Sequence, residues 1–239
     1  MQHDVCISGA SRGIGLALAR VFLERGDRVV TLARSGPDHE NIAGLQADFA
    51  ERHAHVVCDL GDQVSIAAAA EGIAQRCERI DLLINNAGVN ALRTPEEPQH
   101  KQLGQLDGDA ILSVIRINAI GPLLLTQALL PQLRASPQAR VLMISSGSGS
   151  LQKRTTAGTY SYCSSKAALN MITRNLSADL GRDGPLVVAV HPGHVQTDMS
   201  QYTGMPATEA AARIAELSGR LGPEHRGAFL ENDGTPLPW

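Results

Sequence analysis

A chain of 239 residues, 43% of them hydrophobic, is long enough to bury a full core. Its net charge of −3, with no block of like charge, offers no footprint for nucleic acid or an anionic membrane. Four cysteines, Cys6, Cys58, Cys77 and Cys163, have neither Cys-x-x-Cys nor zinc spacing, so reduced thiols in a cytoplasmic protein and no metal site are expected.

The N-terminus lacks a basic region followed by a long apolar one, and no apolar run approaches the ~20 residues of a membrane span. Val5-Cys6-Ile7 reads as a first strand. It runs into Ser8-Gly9-Ala10-Ser11-Arg12-Gly13-Ile14-Gly15 and then a helix with apolar Leu16, Ala19, Val21, Phe22 and Leu23. Strand, glycine-rich turn and helix is the context in which such glycines cradle a pyrophosphate. Gly9 permits the turn, Gly13 lets the phosphate approach the backbone, and Gly15 lets the helix pack on the sheet. A plain strand-to-helix turn is the alternative.

Arg28 to Ala33 reads as the second strand. An NAD site usually has an acid at its end. Here Arg34 follows, and Arg12 stands in the glycine loop. Two guanidiniums suit a ribose 2′-phosphate, or they are solvated surface arginines. A modest helix is expected from Asp38 to Arg52, and a third strand over Ala54 to Cys58, closed by Asp59-Leu60 near the adenine side. Asp62 caps a helix running to Cys77. Ile80 to Ile84 is a fourth strand, buried on both faces, ending in Asn85-Asn86-Ala87-Gly88.

A long helix is expected from about Asp109 to Leu133, kinked at Pro122 just after Asn118. Arg140 to Ser145 is the fifth strand and Ser146-Gly147-Ser148-Gly149-Ser150 a flexible polar loop. A helix carrying Tyr162 and Lys166 extends to about Leu180. Leu186 to Val190 is the sixth strand, leading into His191-Pro192-Gly193. A loop through Thr197 and Met205, a helix over Thr208 to Leu217 and a short strand near Gly227 to Leu230 complete the chain. This alternation predicts one parallel, doubly wound Rossmann-type α/β sheet of about seven strands in a single domain over 1–239. The cofactor side lies mainly in 1–118 and the catalytic side mainly in 118–239.

Tyr162 and Lys166 are four apart, so they share a helix face. A cation ~5 Å from a phenol at an effective dielectric of ~20 favours the phenolate by roughly 3 kcal/mol, about two pKa units. Two fixed letters also arise by chance. Their weight comes from convergence: the glycine loop, Asn85 to Gly88, the Ser loop and Pro192-Gly193 all follow strand ends, where such folds bind ligands.

Along nearly its full length the chain resembles the short-chain dehydrogenase/reductase family. The carriers are Ser8-Gly9-x-x-x-Gly13-x-Gly15, Asn85-Asn86-Ala87-Gly88, the set Asn118, Ser146, Tyr162 and Lys166 in order, and Pro192-Gly193 with Thr197. The ending Phe229 to Trp239 and Ser165 to Asn170 resemble the C-factor/sniffer-like carbonyl reductase branch. The resemblance implies hydride transfer between NADP(H) and a carbonyl or alcohol such as a ketone, aldehyde or quinone. Tyr162 would protonate the alkoxide, Lys166 would lower its pKa and bind the nicotinamide ribose, and Ser146 would hold the substrate oxygen. Asn118 would help hold a water leading to Lys166. The implied cofactor set is Gly9, Ser11, Arg12, Gly13, Ile14, Gly15, Arg34, Asp59, Leu60, Asn86, Ala87, Gly88, Tyr162, Lys166, Pro192, Gly193, Val195 and Thr197. The family generally places its Ser closer to the Tyr, so Ser148 rivals Ser146. His194 is expected at the pocket rim and His191 as a structural strand-end residue. The expected pocket walls are Val89 to Thr94, Gly147 to Thr159 and His194 to Pro206. Lys153 and Arg154 would favour an acidic substrate unless they sit in a solvated loop. A homodimer or homotetramer through the Asn118 and Tyr162 helices is implied. A nucleotide-binding signalling protein of C-factor type with little turnover is the other reading.

Overall fold

The apolar runs form seven strands that pair in parallel throughout: β1 (Asp4–Ser8), β2 (Arg28–Ala33), β3 (His53–Val57), β4 (Leu82–Asn85), β5 (Arg140–Ile144), β6 (Leu186–His191) and β7 (Phe229–Glu231). The structure, a computed structural model, describes residues 2–90 and 103–239. Strand order is β3-β2-β1-β4-β5-β6-β7. The chain builds outward from β1 to β3, then crosses back to place β4 on the other side of β1. That reversal opens a crevice at the strand ends between β1 and β4.

The inner strands are apolar at most positions because both faces are covered. Val5 and Ile7 enter one core cluster with Leu18, Leu23 and Ile214, while Cys6 between them enters the other with Ile66, Leu125 and Leu169. Val187 and Val188 divide in the same way. The first layer holds α1 (Gly13–Glu24) and α8 (Ala207–Arg220), which pack on each other, and also takes Leu45 of α2 (Glu40–Asp48). The second holds α3 (Gln63–Ala74), α4 (Gly108–Ile115), α5 (Gly121–Ala128), α6 (Leu130–Ala135) and α7 (Tyr160–Leu180). All four cysteines are free thiols.

Two expectations need correction. Pro122 does not kink one continuous helix. A π-helical turn over Arg116–Ile120 precedes it, with the Gly121 N–H donating to the Arg116 carbonyl. Pro122 has no N–H for the carbonyl four residues back, which belongs to Asn118, so the register slips there. The turn seats Gly121 against the neighbouring loop, where a Cβ would lie 2.5 Å from the Leu60 carbonyl oxygen. The break in direction comes later, at Leu129, with Pro131 in the first turn of α6, where its missing N–H costs little.

The 21-residue stretch Gly108–Ala128, with an 18-residue window of mean hydropathy 1.5, is also long and apolar enough to cross a membrane by length and composition alone. It is not an unbroken apolar run, since Asp109, Arg116, Asn118 and Gln127 interrupt it. Here the pieces pack on α7 and α3. Finally, the serine loop is ordered rather than flexible. Gly147–Gly149 forms a 3₁₀ turn capped by Ser146, whose Oγ accepts from the Ser148 N–H at 3.1 Å.

Candidate active site

The crevice between β1 and β4 is tied shut at its base. Ser8 Oγ accepts from the backbone N–H groups of Asn86 (3.1 Å) and Ala87 (3.2 Å). Asn86 Nδ2 donates back to the carbonyls of Ser8 (3.0 Å) and Gly9 (3.2 Å). Gly9 needs its freedom: φ is +70, and a Cβ would stand 2.6 Å from Ala87 Cα. Gly15 packs beneath it, with room for no Cβ, which would overlap the Gly9 carbonyl oxygen and lie 2.5 Å from Asn86 Nδ2.

Above this base lies a cavity of about 1,210 Å³. Of the expected cofactor residues, Gly9, Ser11, Arg12, Gly13, Ile14, Arg34, Asp59, Leu60, Asn86, Ala87, Gly88, Tyr162, Lys166, Pro192, Gly193, Val195 and Thr197 line it. Gly15 does not, because it is the packing residue under the turn. The N-terminus of α1 opens on the cavity with no side-chain cap and no acid in its first turn, so its amide groups and dipole suit a phosphate. The Cβ-free face of Gly13 looks across at Thr197, whose Cγ2 would be 3.4 Å from a Cβ there. These features fit a dinucleotide.

The two arginines differ. Arg12 is ion-paired with Asp198 at 3.0 Å, which bridges the glycine loop to the loop after β6. Arg34 is exposed on the cavity edge and makes no ion pair with any described residue.

At the other end, α7 presents Tyr162 and Lys166 and the turn after β5 presents Ser146. Ser146 lies close enough to the Tyr162 side chain to favour its phenolate. Ser148 also lines the cavity, and its backbone N–H donates to Ser146 Oγ, which orients Ser146. Lys166 is buried and its Nζ donates to the Ile144 carbonyl at 2.8 Å, 5.8 Å from the centre of the Tyr162 ring. Burial lowers the lysine pKa to about 8.

The tyrosine moves the other way from the sequence expectation. Burial raises its pKa, Ser146 lowers it, and Cys163 raises it. Desolvation of the phenolate outweighs the help available, since the ammonium is directed at a carbonyl. Tyr162 is therefore a neutral phenol at neutral pH.

Asn118 lies in the π turn, behind the cavity wall rather than on it. Its Oδ1 accepts from the Val89 N–H (2.8 Å), and its Nδ2 donates to the Val89 carbonyl (2.8 Å) and to Ser165 Oγ (3.0 Å). Ser165 Oγ donates on to the Tyr162 carbonyl at 2.7 Å. Asn118 thus clamps the segment after β4 to the catalytic helix.

Of the expected walls, Ala91 to Thr94 lie outside the described residues. His194 reaches the cavity and bonds Thr203 Oγ1 at 2.8 Å. Its loop is knitted by the Val195–Met205 bridge and by Ser200, whose Oγ donates to the Val195 carbonyl at 2.6 Å. Lys153 pairs with Glu231 at 3.8 Å. Arg154 is spent on its own loop, donating to the Gly158 carbonyl at 2.8 Å and to Thr159 Oγ1 at 3.2 Å. Neither is left as a free cation for an acidic substrate.

His191 lines the cavity 4.0 Å from Glu231, and burial first, then Lys153 and His194, lowers its pKa to about 4. Burial likewise lowers His53 to about 4. Both values lie below the ordinary 6.5, so between about pH 4 and 6.5 the unfolded chain binds more protons. Stability is then full above pH 6.5 and is lost as pH falls through that window, by up to ~3 kcal/mol for each histidine. Urea midpoints at pH 7 and pH 4.5 check this, and the pH dependence should be shallower in His191→Gln. An equal dependence in the two proteins contradicts the assignment.

Sequence reasoning missed Asn170. Its side chain accepts from Ser145 Oγ at 2.6 Å and donates to the Gly149 carbonyl at 3.2 Å, which locks the Ser146 turn to α7. Spacing could have pointed to it, since it lies one helical turn beyond Lys166 on the same face. It also missed Asp198, whose partner Arg12 is 186 residues away in sequence.

A family model described as short chain dehydrogenase matches residues 3–206. The C-signal protein of Myxococcus xanthus is 42% identical over 161 residues, covering 67% of this chain and 93% of that protein. An NADPH-bound carbonyl reductase from chicken fatty liver superposes with TM-score 0.89 at 31% identity, over 100% of this chain and 99% of that one. The carbonyl reductase Sniffer of Drosophila melanogaster gives TM-score 0.88 at 27% identity over 100% of both chains.

Proposed function

Because the chain belongs to the short-chain dehydrogenase family, we propose that it transfers hydride between NADP(H) and a carbonyl or alcohol, with Tyr162 as proton donor in reduction. One observation carries the reading. Ser146, Tyr162 and Lys166 line one end of a cavity whose other end holds an uncapped helix N-terminus and Arg34, which makes no ion pair among the described residues. Bound NADPH would supply the hydride.

The chain supplies the rest. Tyr162 keeps its proton at Oη because burial raises its pKa, so it is a donor rather than a base in the resting site. Ser146 offers a second hydroxyl to the same substrate oxygen, and two fixed donors stabilise charge where it builds up. Proton donation leaves a phenolate. Lys166, on the same helix face and charged below about pH 8, counters it. Asn118 holds the geometry through Val89 and Ser165, and its carbonyl has no donor in Pro122. That supports its role in holding a water on the path to Lys166.

The cofactor's 2′-phosphate is assigned to Arg34, with Arg12 acting from the glycine loop. Arg34→Ala should lower kcat/KM for NADPH about 10-fold or more, the scale of a lost charged hydrogen bond, and leave NADH nearly unchanged. Equal effects on both cofactors contradict it.

The C-signal similarity favours a second reading, in which the site binds the nucleotide without turnover. NADPH binding with no oxidation across a broad panel of ketones, aldehydes and quinones would select it. Exposed Leu112 on α4 and Met171 on α7 support assembly of a homodimer or homotetramer through these helices. Light scattering that returns a monomer mass contradicts that. The free thiols support a cytoplasmic location, which cell fractionation tests.

A further inference from the structure

Behind Arg34, on the face shared by β2 and β3, three buried or half-buried side chains form a chain that the catalytic account does not use. Thr31 stands opposite His55 in the register, and His53 lies two residues before it on the same side. Thr31 Oγ1 is 2.9 Å from His53 Nε2 and 3.0 Å from His55 Nδ1. His55 Nε2 is 2.9 Å from the carbonyl oxygen of Ser35, and His53 Nδ1 is 3.1 Å from the atom placed as Gln46 Oε1. Ser35 directly follows Arg34, and both line the cavity.

The directions of these bonds follow from valence. A carbonyl only accepts, so His55 Nε2 carries a hydrogen. A neutral His55 then has a bare Nδ1, which takes the single Thr31 hydroxyl proton at 3.0 Å in preference to the Ala54 carbonyl at 3.3 Å. The Thr31 oxygen must therefore accept from His53 Nε2–H, which leaves His53 Nδ1 bare and facing an amide N–H of Gln46. That places the Gln46 amide nitrogen toward the ring, an orientation that atom positions alone do not distinguish. It gives up only an exposed 3.2 Å contact with the Ala50 carbonyl. The opposite order needs a charged His55 beside buried Thr31 and His53. The lowered His53 pKa agrees with a neutral ring there.

We infer that Gln46, His53, Thr31 and His55 form a one-way hydrogen-bond chain that fixes the Ser35 carbonyl, making them positioning residues for Arg34 in recognition of the 2′-phosphate. The inference rests on the NADP(H) reading above. It predicts that Thr31→Val and His55→Phe weaken NADPH binding about tenfold, the effect of one lost hydrogen bond, while NADH binding stays within about twofold. Thr31→Ser and His55→Gln, which keep a donor and an acceptor, retain the wild-type ratio.

Binding is read by fluorescence titration of each cofactor on folded protein, without turnover. An unchanged NADPH-to-NADH ratio in folded Thr31→Val and His55→Phe overturns the inference while leaving the NADP(H) reading intact. A wild-type protein with no preference for NADPH overturns the reading and the inference together. Should both variants fail to fold, histidine tautomers in the wild-type protein decide. Long-range ¹H–¹⁵N spectra at neutral pH should show a proton on Nε2 of both His53 and His55 and none on Nδ1; a doubly protonated His55 overturns the chain.

Discussion

Replacing Tyr162 with Phe lowers carbonyl reduction by about 10²-fold or more and leaves NADPH affinity nearly unchanged, the signature of a lost general acid. The ring is kept, so its packing and its place beside Lys166, 5.8 Å from the ring centre, are preserved. Only the hydroxyl, which lines the cavity beside Ser146, is gone. Ser146→Ala should follow with a smaller loss, because Tyr162 still donates. Ser148→Ala should be close to wild type, since what Ser148 gives to Ser146 is a backbone N–H. The raised tyrosine pKa sets the direction. At neutral pH the group holds its proton, so reduction starts from the correct protonation state, while oxidation of an alcohol must first form a costly phenolate. Steady-state rates for the three variants test the order. Full activity in Tyr162→Phe rejects the mechanism.

Gly15→Ala lowers both stability and cofactor affinity, although Gly15 does not line the cavity. Its missing side chain is the space in which α1 meets the turn. An added Cβ would overlap the Gly9 carbonyl oxygen and press on Asn86 Nδ2, the atom that ties β4 to that turn. Neither neighbour is the free end of a flexible chain, so the backbone must shift, at a cost of about 1–3 kcal/mol. The shifted groups include the turn that cradles the phosphate, so NADPH affinity falls with stability. Gly44 supplies the contrast. It lies inside α2 with open space around it, and Gly44→Ala should stabilise by about 0.5–1 kcal/mol through the helix preference of alanine. Denaturant midpoints and NADPH titrations of both variants check the pair. Equal signs for the two changes contradict the packing argument.

Much of the fold was legible because its signals are local. Alternating apolar runs and helix periods placed every strand within about two residues, apart from ragged ends such as α2, which stops at Asp48 where the sequence pattern continued. The glycine loop, Asn86 and the Tyr162–Lys166 face were also local patterns. What sequence could not show was direction and burial in three dimensions. Proximity in sequence put a cation near the phenol and predicted a lowered pKa, yet Lys166 aims at the Ile144 carbonyl and burial wins. Pro122 announced a disturbance, but its form, a π turn that seats Gly121 on Leu60, depends on a neighbour sixty residues away. Nor could sequence show that Arg12 is ion-paired with Asp198 across the cleft. Nothing in the sequence joined His53 and His55 to Thr31, because only the pairing of β2 with β3 brings Thr31 between them.

The central claim is that this chain moves a hydride from NADPH to a carbonyl carbon under the hydroxyls of Ser146 and Tyr162. NADPH deuterated at C4 of the nicotinamide, incubated with the wild-type protein and a panel of ketones, aldehydes and quinones, tests it most directly. The expected result is deuterium on the former carbonyl carbon of at least one alcohol product, abolished in step with turnover by Tyr162→Phe. Binding of NADPH with no labelled product from any member of the panel contradicts the claim.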